Sequence, residues 1–206
     1  MADLTTKLFD DSDLHTLNPY EIFLFWLKEA EKTEVNNHNA MSLATVDEHG
    51  LPDLRVVLLN AHDERGFVFF TNLESSKGLQ LIAHPKAALL FYWKSLGRQV
   101  RIRGEVEIVS DAEADTYFQQ RPRGSQIGAH ASQQSRPLTS RDDLIAKVAE
   151  LEKKFENLAV PRPAYWSGFR IKADSIEFWK DGAFRLHDRA HFTRTARGWR
   201  KIRTYP

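Results

Sequence analysis

Residues 40–71 read AMSLATVDEHGLPDLRVVLLNAHDERGFVFFT and contain three runs that are rich in β-branched and aromatic residues. The runs are M-S-L-A-T-V, L-R-V-V-L-L and F-V-F-F-T, and the segments between them include D-E-H-G and H-D-E-R-G, each ending in glycine. Short β-rich runs joined by glycine-containing turns are typical of neighbouring antiparallel strands. This stretch therefore predicts a β-meander.

Helix and strand signals alternate in the rest of the chain. Asn18 followed by Pro19 marks a helix start, Ser110 and Glu113 form a capping box, and Pro122 ends the helix that follows. Predicted helices cover residues 19–32, 75–83, 111–121 and 141–157, with a polar segment without helix over 122–140. Further predicted strands cover residues 86–93, 98–109, 167–172, 175–179, 184–194 and 199–205.

This pattern predicts a mainly β protein with flanking helices, built as a closed or nearly closed antiparallel barrel. Residues 1–17 lack periodicity and predict a mobile N-terminal arm, so the expected organisation is that arm followed by a single domain over residues 18–206.

Composition narrows the possible functions. The chain has 206 residues, 42% of them hydrophobic, which suits a globular domain with a proper core. A formal net charge of +1 provides no global attraction for nucleic acid. Because the chain has no cysteine, thiolate nucleophiles, cysteine-ligated zinc and disulfides are excluded, and a reducing, cytoplasmic setting is compatible. With no apolar run of membrane-spanning length, we expect no membrane partner.

One candidate site combines Tyr117, Arg121 and Ser125. Tyr117 and Arg121 are four residues apart and share a helix face, and Ser125 follows the break at Pro122. A phenol, a guanidinium and a hydroxyl suit a phosphomonoester, because arginine offers a planar donor fork to phosphate. Spacing alone, however, favours the simpler interpretation of a solvated helix face.

Two further groups are weaker candidates. Arg55, Thr71 and Lys77 could converge on an anion at neighbouring strand ends and a helix start. Arg185 and His187 would project from the same side of the predicted strand 184–194, although a basic, exposed strand explains them equally well. A metal site is disfavoured, since no carboxylate or third histidine has suitable spacing. No serine lies in a nucleophile elbow, and no glycine-rich dinucleotide or phosphate loop is present.

Several ordered motifs resemble the pyridoxamine 5′-phosphate oxidase family over residues 17–206. They are A-T-V-D-E-H-G-L-P, R-V-V-L-L, F-F-T-N-L-E-S, R-Q-V-R-I-R-G, Y-F-Q-Q-R-P-R-G-S-Q-I-G, S-Q-Q-S-R, W-S-G-F-R and I-E-F-W…F-R-L-H-D-R. The resemblance implies an FMN-binding split β-barrel that forms a homodimer with FMN at the subunit interface. It also implies oxidation of pyridoxamine and pyridoxine 5′-phosphates to pyridoxal 5′-phosphate, with O₂ as the electron acceptor and H₂O₂ as the product.

The resemblance also assigns residues. Arg185 and His187 would be catalytic, with Arg185 over the pyridine ring of the substrate. The implied substrate-binding residues are Asn60, Tyr117, Arg121, Ser125, Arg185 and His187. The implied FMN-binding residues are Arg55, Val56, Val57, Leu58, Leu59, Asn60, Phe70, Thr71, Ser76, Lys77, Gln99, Gln134, Ser135, Trp179 and Arg189.

Three positions depart from the family pattern. Asn60 stands where a lysine usually contacts the substrate phosphate, Ser76 where an arginine often helps to hold FMN, and His130 where tryptophan is common. Because asparagine keeps a donor but loses the charge, we expect weaker phosphate binding. Two alternatives follow: a protein of this fold that binds FMN or pyridoxal phosphate with little or no turnover, and a flavin reductase-like split barrel, which would not require Arg185 and His187.

Overall fold

The computed structural model describes residues 4–10 and 17–206 of the chain. The strands are β1 Ala40–Val46, β2 Pro52–Leu58, β3 Ala61–Asp63, β4 Gly66–Asn72, β5 Lys86–Trp93, β6 Arg98–Ile108, β7 Trp166–Lys180, β8 Asp188–Thr195 and β9 Gly198–Arg203. The helices are α1 Leu4–Leu8, α2 Pro19–Thr33, α3 Ser76–Ala83, α4 Asp111–Gln120, α5 Arg123–Ala131 and α6 Arg141–Lys154. Short 3₁₀ turns cover Lys94–Leu96 and Ala183–Arg185.

The nine strands of the described residues belong to one antiparallel sheet, in the order β2-β1-β5-β6-β7-β4-β3 with β8 and β9 branching from β7. The branch exists because β7 is long enough to have two neighbours on one side. Its first half pairs with β4 and its second half pairs with β8, while β6 pairs along the other side. The predicted pairing of the first two runs is confirmed, since β1 and β2 are antiparallel neighbours. The expected meander is wrong at the third run, because β4 lies near the other end of the strand order, where it pairs with β7 and with β3, a short strand that overlaps the predicted turn H-D-E-R-G.

The sheet curves into a half-barrel, as the sequence predicted. β2 and β4 lie far apart in the strand order, yet residues of both line the same cavity. Helix α2 packs against the sheet, and its Phe23 and Trp26 side chains are fully buried. Phe23 contacts Phe67 and Phe91 edge-on, with ring centroids 4.9 and 5.1 Å away. Burial of these rings against β4 and β5, which are not neighbours in the sheet, holds the half-barrel together.

A second, smaller core joins α4, α5 and α6 to the start of β7. Phe118, Ile127, Leu151 and Trp166 are buried in it. The Ser110 capping box is present, since the Ser110 side chain accepts from the Glu113 amide and the Glu113 side chain accepts from the Ser110 amide. This cap and the small core fix the orientation of α4, which carries Tyr117 at its C-terminal end.

Helix α5 and strand β7 correct the sequence predictions. Residues 123–131 form a helix instead of a polar loop, because burial of Ile127 against Phe118 and Leu151 outweighs the two glycines. The two strands expected over 167–172 and 175–179 are one strand with a bulge at Asp174. Gly104 lies opposite the bulge, where a Cβ atom would be only 1.8 Å from the Lys172 carbonyl oxygen.

The expected N-terminal arm is partly described. Leu4–Leu8 form a short helix, where the sequence pattern indicated no regular structure. Leu8 is fully buried in the main core, and Trp26 Nε1 donates to Thr5 Oγ1 at 3.0 Å. Five residues are too few to show helical periodicity, so these tertiary contacts explain the difference. Residues 1–3 and 11–16 of the expected arm lie outside the described residues.

Candidate active site

A cavity of about 320 Å³ opens between the edge strand β2 and the helical side of the molecule. It is lined by residues from β2, β4, α3 and α4 and from the segment after α5. The lining residues are Val56, Val57, Leu58, Asn60, Phe70, Thr71, Lys77, Tyr117, Arg121, Gln134 and Trp166. All of these except Trp166 are among the residues that the family resemblance singled out, so the fold brings ten of them together.

Lys77 provides the positive charge at one end of this cavity. Its ammonium lies 3.0 Å from Gln134 Oε1 and 3.3 Å from Ser75 Oγ, next to the N-terminus of α3. Burial lowers the pKa of Lys77, and the neighbouring charge of Arg55 lowers it further. An anion placed here would meet a poorly solvated cation and a helix N-terminus, both of which favour negative charge.

Arg55 is held by protein partners beside the same end of the cavity. Its guanidinium donates to Asp53, Thr45 and the Leu43 carbonyl, and to Gln80 Oε1 at 3.1 Å. A hydrogen bond from Gln80, followed by the charge of Arg55, lowers the pKa of Asp53. Arg55 is not among the residues that line the cavity, and its charge influences the cavity through the neighbouring Lys77.

Tyr117, Arg121 and Ser125 converge as the phosphate hypothesis requires. Arg121 lines the main cavity with Tyr117 and also lines an adjoining cavity of about 250 Å³ with Ser125. Arg121 Nη1 is buried without a hydrogen-bond partner among the described residues. Burial lowers the pKa of Arg121, and its Cζ lies 4.6 Å from the centre of the Trp166 ring. The helix face is therefore not simply solvated, since it presents a half-buried guanidinium whose Nη1 is available to donate to a ligand.

Three nearly parallel rings form one wall of the site. Phe70 stacks on Tyr117 at 4.1 Å and on Trp166 at 5.4 Å, with interplanar angles of 10° and 5°. Asn60 Nδ2 donates to Tyr117 Oη, and Asn60 Oδ1 accepts from the Phe70 amide at 3.3 Å. Sequence reasoning missed Trp166 as a lining residue, although the motif W-S-G-F-R contains it. The signal that could have found it is that Trp166 is a large aromatic residue at the first position of β7.

The other predicted residues lie around this cavity or in the second group described below. Leu59 is buried at the end of β2. Ser76 is the exposed first residue of α3. Ser135 follows Gln134 with a left-handed backbone, φ 72°, and lines a separate cavity of about 380 Å³. His130 has a structural contact, because its Nε2 lies 2.7 Å from the Pro161 carbonyl oxygen.

A second group of predicted residues lies on β6, β7 and the start of β8. Gln99, Trp179 and Arg189 are register partners on these three strands and so form one row across the sheet. Arg189 donates to Glu177 and to the Tyr205 carbonyl, each at 2.8 Å, and its Nε is buried without a partner among the described residues. None of the three lines the 320 Å³ cavity.

The expected strand placement of Arg185 and His187 is wrong. Both residues lie in the turn between β7 and β8, where Phe184 and Arg185 have left-handed backbones with φ 55° and 64°. The turn exposes Arg185, whereas His187 packs against Trp179 with ring centroids 4.6 Å apart. His187 Nδ1 lies 3.0 Å from Asp181 Oδ1 and 3.2 Å from the Gly182 amide nitrogen. The two side chains therefore share a turn instead of a strand face.

No group of three or more His, Asp or Glu side chains in the described part of the chain could hold a metal ion. Among the helices described over 4–10 and 17–206, none is long and apolar enough to cross a membrane.

Solved structures share this architecture. PhzG from Burkholderia lata 383, in complex with tetrahydrophenazine-1-carboxylic acid, is 31% identical, covers 96% of both chains and has a TM-score of 0.88. A pyridoxamine 5′-phosphate oxidase-related, FMN-binding protein from Nostoc punctiforme has a TM-score of 0.73 at 15% identity, covering 93% of this chain and 99% of that one, which shows the fold alone. The chain is thus a split-barrel protein.

Sequence comparison identifies the family. Residues 27–155 match the family model described as pyridoxamine 5′-phosphate oxidase, and residues 166–206 match the pyridoxine 5′-phosphate oxidase C-terminal dimerisation region. Pyridoxine/pyridoxamine 5′-phosphate oxidases of Allorhizobium ampelinum and Rhizobium meliloti are 57% and 58% identical over 206 residues, covering 99% of this chain and 98% of each relative. The chain belongs to the pyridoxamine 5′-phosphate oxidase family.

Proposed function

We propose that this protein is an FMN-dependent oxidase that converts pyridoxamine 5′-phosphate and pyridoxine 5′-phosphate to pyridoxal 5′-phosphate. O₂ is the electron acceptor and H₂O₂ is the product. Family membership and the 57% identity to enzymes of that name support the reaction. The observation that carries the substrate assignment is Arg121 Nη1, which is buried without a hydrogen-bond partner among the described residues, on a side chain that lines the cavity together with Tyr117.

The residues of the 320 Å³ cavity fit FMN. Strand β2 is at the edge of the sheet, so its outer main-chain groups can pair with a ligand, and Val56 beside them is 67% exposed. Lys77 and the N-terminus of α3 suit the phosphate of the cofactor. Burial leaves the Lys77 ammonium poorly solvated and lowers its pKa, and a helix N-terminus favours negative charge. The Thr71 hydroxyl and the Gln134 side-chain amide offer polar groups for the ribityl chain, and Thr71 Oγ1 lies 3.2 Å from Gln134 Oε1.

The substrate phosphate fits at the other end of the same cavity. Arg121 supplies charge and a planar donor fork, Tyr117 supplies a hydroxyl, and Ser125 lines the adjoining space. These groups bind and orient the substrate so that its C4′ carbon faces the cofactor. When bound, FMN would supply the two-electron oxidation chemistry, with O₂ as the final electron acceptor.

The second group of residues, together with Arg185 in the turn between β7 and β8, supports a shared site in a homodimer. Gln99, Trp179, Arg185 and Arg189 lie on other elements than those that form the cavity, and all but Gln99 fall within the matched dimerisation region. Edge strand β2 exposes apolar side chains, and Phe184 in the β7–β8 turn is 94% exposed. In this proposal a second copy of the chain covers the cavity with its β7–β8 turn. Its Arg185 and His187 then hold the pyridine ring against the cofactor.

Steady-state measurements test the proposal. The protein is purified, saturated with FMN, and mixed with pyridoxine 5′-phosphate or pyridoxamine 5′-phosphate in air, and pyridoxal 5′-phosphate and peroxide are quantified. The proposal predicts catalytic turnover with equal amounts of the two products. A protein that binds FMN and substrate without turnover would instead be the non-catalytic binding protein considered above.

A further inference from the structure

Asn60 lies in the short segment between β2 and β3, beside β4, and borders two cavities. Its amide nitrogen donates to the Val68 carbonyl at 2.9 Å, which fixes its backbone against β4. Its side chain lines the 320 Å³ cavity and also a neighbouring cavity of about 410 Å³, as do Phe70 and Tyr117. These three residues therefore form the wall between the two cavities.

The orientation of the Asn60 amide is fixed by its neighbours. The Phe70 amide N–H can only donate, so the atom that faces it at 3.3 Å must be the Asn60 oxygen. The Asn60 NH₂ group then faces Tyr117 Oη and must be the donor in that hydrogen bond. Tyr117 Oη accepts this bond, so the hydroxyl proton of Tyr117 is not used in it.

The Tyr117 ring cannot readily turn away from this bond. It stacks on Phe70 at 4.1 Å, within the set of nearly parallel rings that includes Trp166. Arg121, the residue that follows α4, lies 4.6 Å from the Trp166 ring centre. The hydroxyl of Tyr117 and the guanidinium of Arg121 line the same cavity.

We infer that Asn60 is a positioning residue: it donates to Tyr117 Oη and thereby leaves the Tyr117 hydroxyl proton to be donated to the phosphate of the substrate. This inference rests on the proposed function. It assigns Asn60 a different role from the lysine that the family resemblance leads one to expect, because Asn60 acts on the phosphate through Tyr117. The phosphate then receives the Tyr117 O–H donor together with the charged donors of Arg121.

A double-mutant cycle between Asn60 and Tyr117 tests this role. Dissociation constants of pyridoxine 5′-phosphate and of unphosphorylated pyridoxine are measured by calorimetry on the FMN-loaded protein. Asn60→Ala should weaken binding of the phosphorylated ligand about two- to tenfold, the range of one neutral hydrogen bond, and leave pyridoxine binding unaffected. In a Tyr117→Phe background the same substitution should have no further effect.

Asn60→Asp gives a second, shape-conserving test. Aspartate keeps an acceptor for the Phe70 amide, but its second oxygen accepts a hydrogen bond from the Tyr117 hydroxyl. The Tyr117 hydroxyl can then no longer donate to the phosphate, so phosphate binding should weaken more than in Asn60→Ala. Part of this effect should disappear in the Tyr117→Phe background, leaving only repulsion between the carboxylate and the phosphate. Asn39→Ala is the matched control, because Asn39 Nδ2 donates to the Leu59 carbonyl at 2.8 Å and holds the same end of β2. It should lower the melting temperature without changing either dissociation constant.

Three results would overturn the inference. Additive effects in the cycle would mean that Asn60 contacts the phosphate itself, and equal losses for both ligands would mean a merely structural role. Unchanged binding in Asn60→Ala would remove any role for it. Wild-type protein that binds pyridoxine 5′-phosphate without oxidising it would contradict the proposed function, although the cycle would still test the role of Asn60. Wild-type protein that does not bind pyridoxine 5′-phosphate would contradict both the proposed function and the inference on Asn60.

Discussion

Replacing Arg121 by methionine should separate substrate binding from stability. Arg121 Nη1 is buried without a hydrogen-bond partner among the described residues, and its Cζ lies 4.6 Å from the Trp166 ring centre and 5.7 Å from the Phe118 ring centre. In the free protein the guanidinium thus bears a desolvation cost, which cation–π contacts of about 0.5–2 kcal/mol each offset in part. Methionine removes both terms, so the free energy of unfolding should change by no more than about 1 kcal/mol.

Substrate binding should suffer far more from Arg121→Met. Each hydrogen bond from a charged donor is worth about 1.5–3 kcal/mol, and the planar fork can make two to one phosphate. A loss of about 3 kcal/mol corresponds to a rise of roughly a hundredfold in the Michaelis constant for pyridoxine 5′-phosphate. The assay is steady-state peroxide formation over a range of substrate concentrations, paired with thermal melts at fixed protein and FMN concentrations.

Arg123→Met is the matched control. Arg123 donates to the Leu158 carbonyl at 3.0 Å and the Phe155 carbonyl at 2.6 Å, at the C-terminal end of α6. Losing these bonds should lower the melting temperature by several degrees, since each kcal/mol corresponds to about 2–4 °C in a chain of this size. The Michaelis constant should not change. If Arg121→Met kept the wild-type Michaelis constant, the phosphate site would have been assigned to the wrong residues.

Three further predictions concern the cofactor, the turn between β7 and β8, and the fold. Lys77→Met should raise the dissociation constant of FMN about tenfold or more in a fluorescence titration, and wild-type affinity should fall as pH rises through the lowered pKa of Lys77, because its charge is present only below that pKa. A variant that binds FMN like wild type would place the cofactor phosphate elsewhere. Arg185→Leu should reduce turnover while the purified protein keeps its FMN, and flavin loss with normal turnover after reconstitution would assign Arg185 to the cofactor. Glu113→Gln should destabilise the protein by about 1–2 kcal/mol at neutral pH, since Glu113 accepts from Arg170 at 2.6 Å and glutamine keeps the capping box. The hydrogen bond from Arg170 lowers the pKa of Glu113, so this stabilisation is present above the usual carboxyl pKa and is lost as pH falls through the lowered one. Chemical denaturation of both proteins at neutral and acidic pH should therefore show the difference shrinking on acidification, and a constant difference would contradict the assignment.

Local sequence signals predicted most of the sheet. The three runs in residues 40–71 became β1, β2 and β4, and the capping box at Ser110 became the start of α4. These elements have strong short-range signals, either glycine-containing turns or side chains that cap a helix. Helix α5 was missed because its stability comes from Ile127 packing against other helices, which no local pattern reveals.

The candidate site was only partly predictable, for a related reason. Helical spacing put Tyr117 and Arg121 on one face, but only packing against Trp166 shows that this face is half-buried and that Arg121 Nη1 is left unpartnered. Alternation along a strand was the wrong rule for Arg185 and His187, because two consecutive left-handed residues convert that segment into a turn. The role that we propose for that turn depends on a second copy of the chain, which the pattern of one sequence does not contain.

The most direct test of the proposed oxidase is a single turnover without oxygen. FMN-loaded protein is made anaerobic, mixed with pyridoxine 5′-phosphate, and followed by the visible absorbance of the flavin. The proposal predicts that the absorbance bleaches as pyridoxal 5′-phosphate forms, about one per FMN, and returns with release of peroxide when air is admitted. A flavin spectrum that stays oxidised, although FMN and pyridoxine 5′-phosphate are both bound, would contradict it.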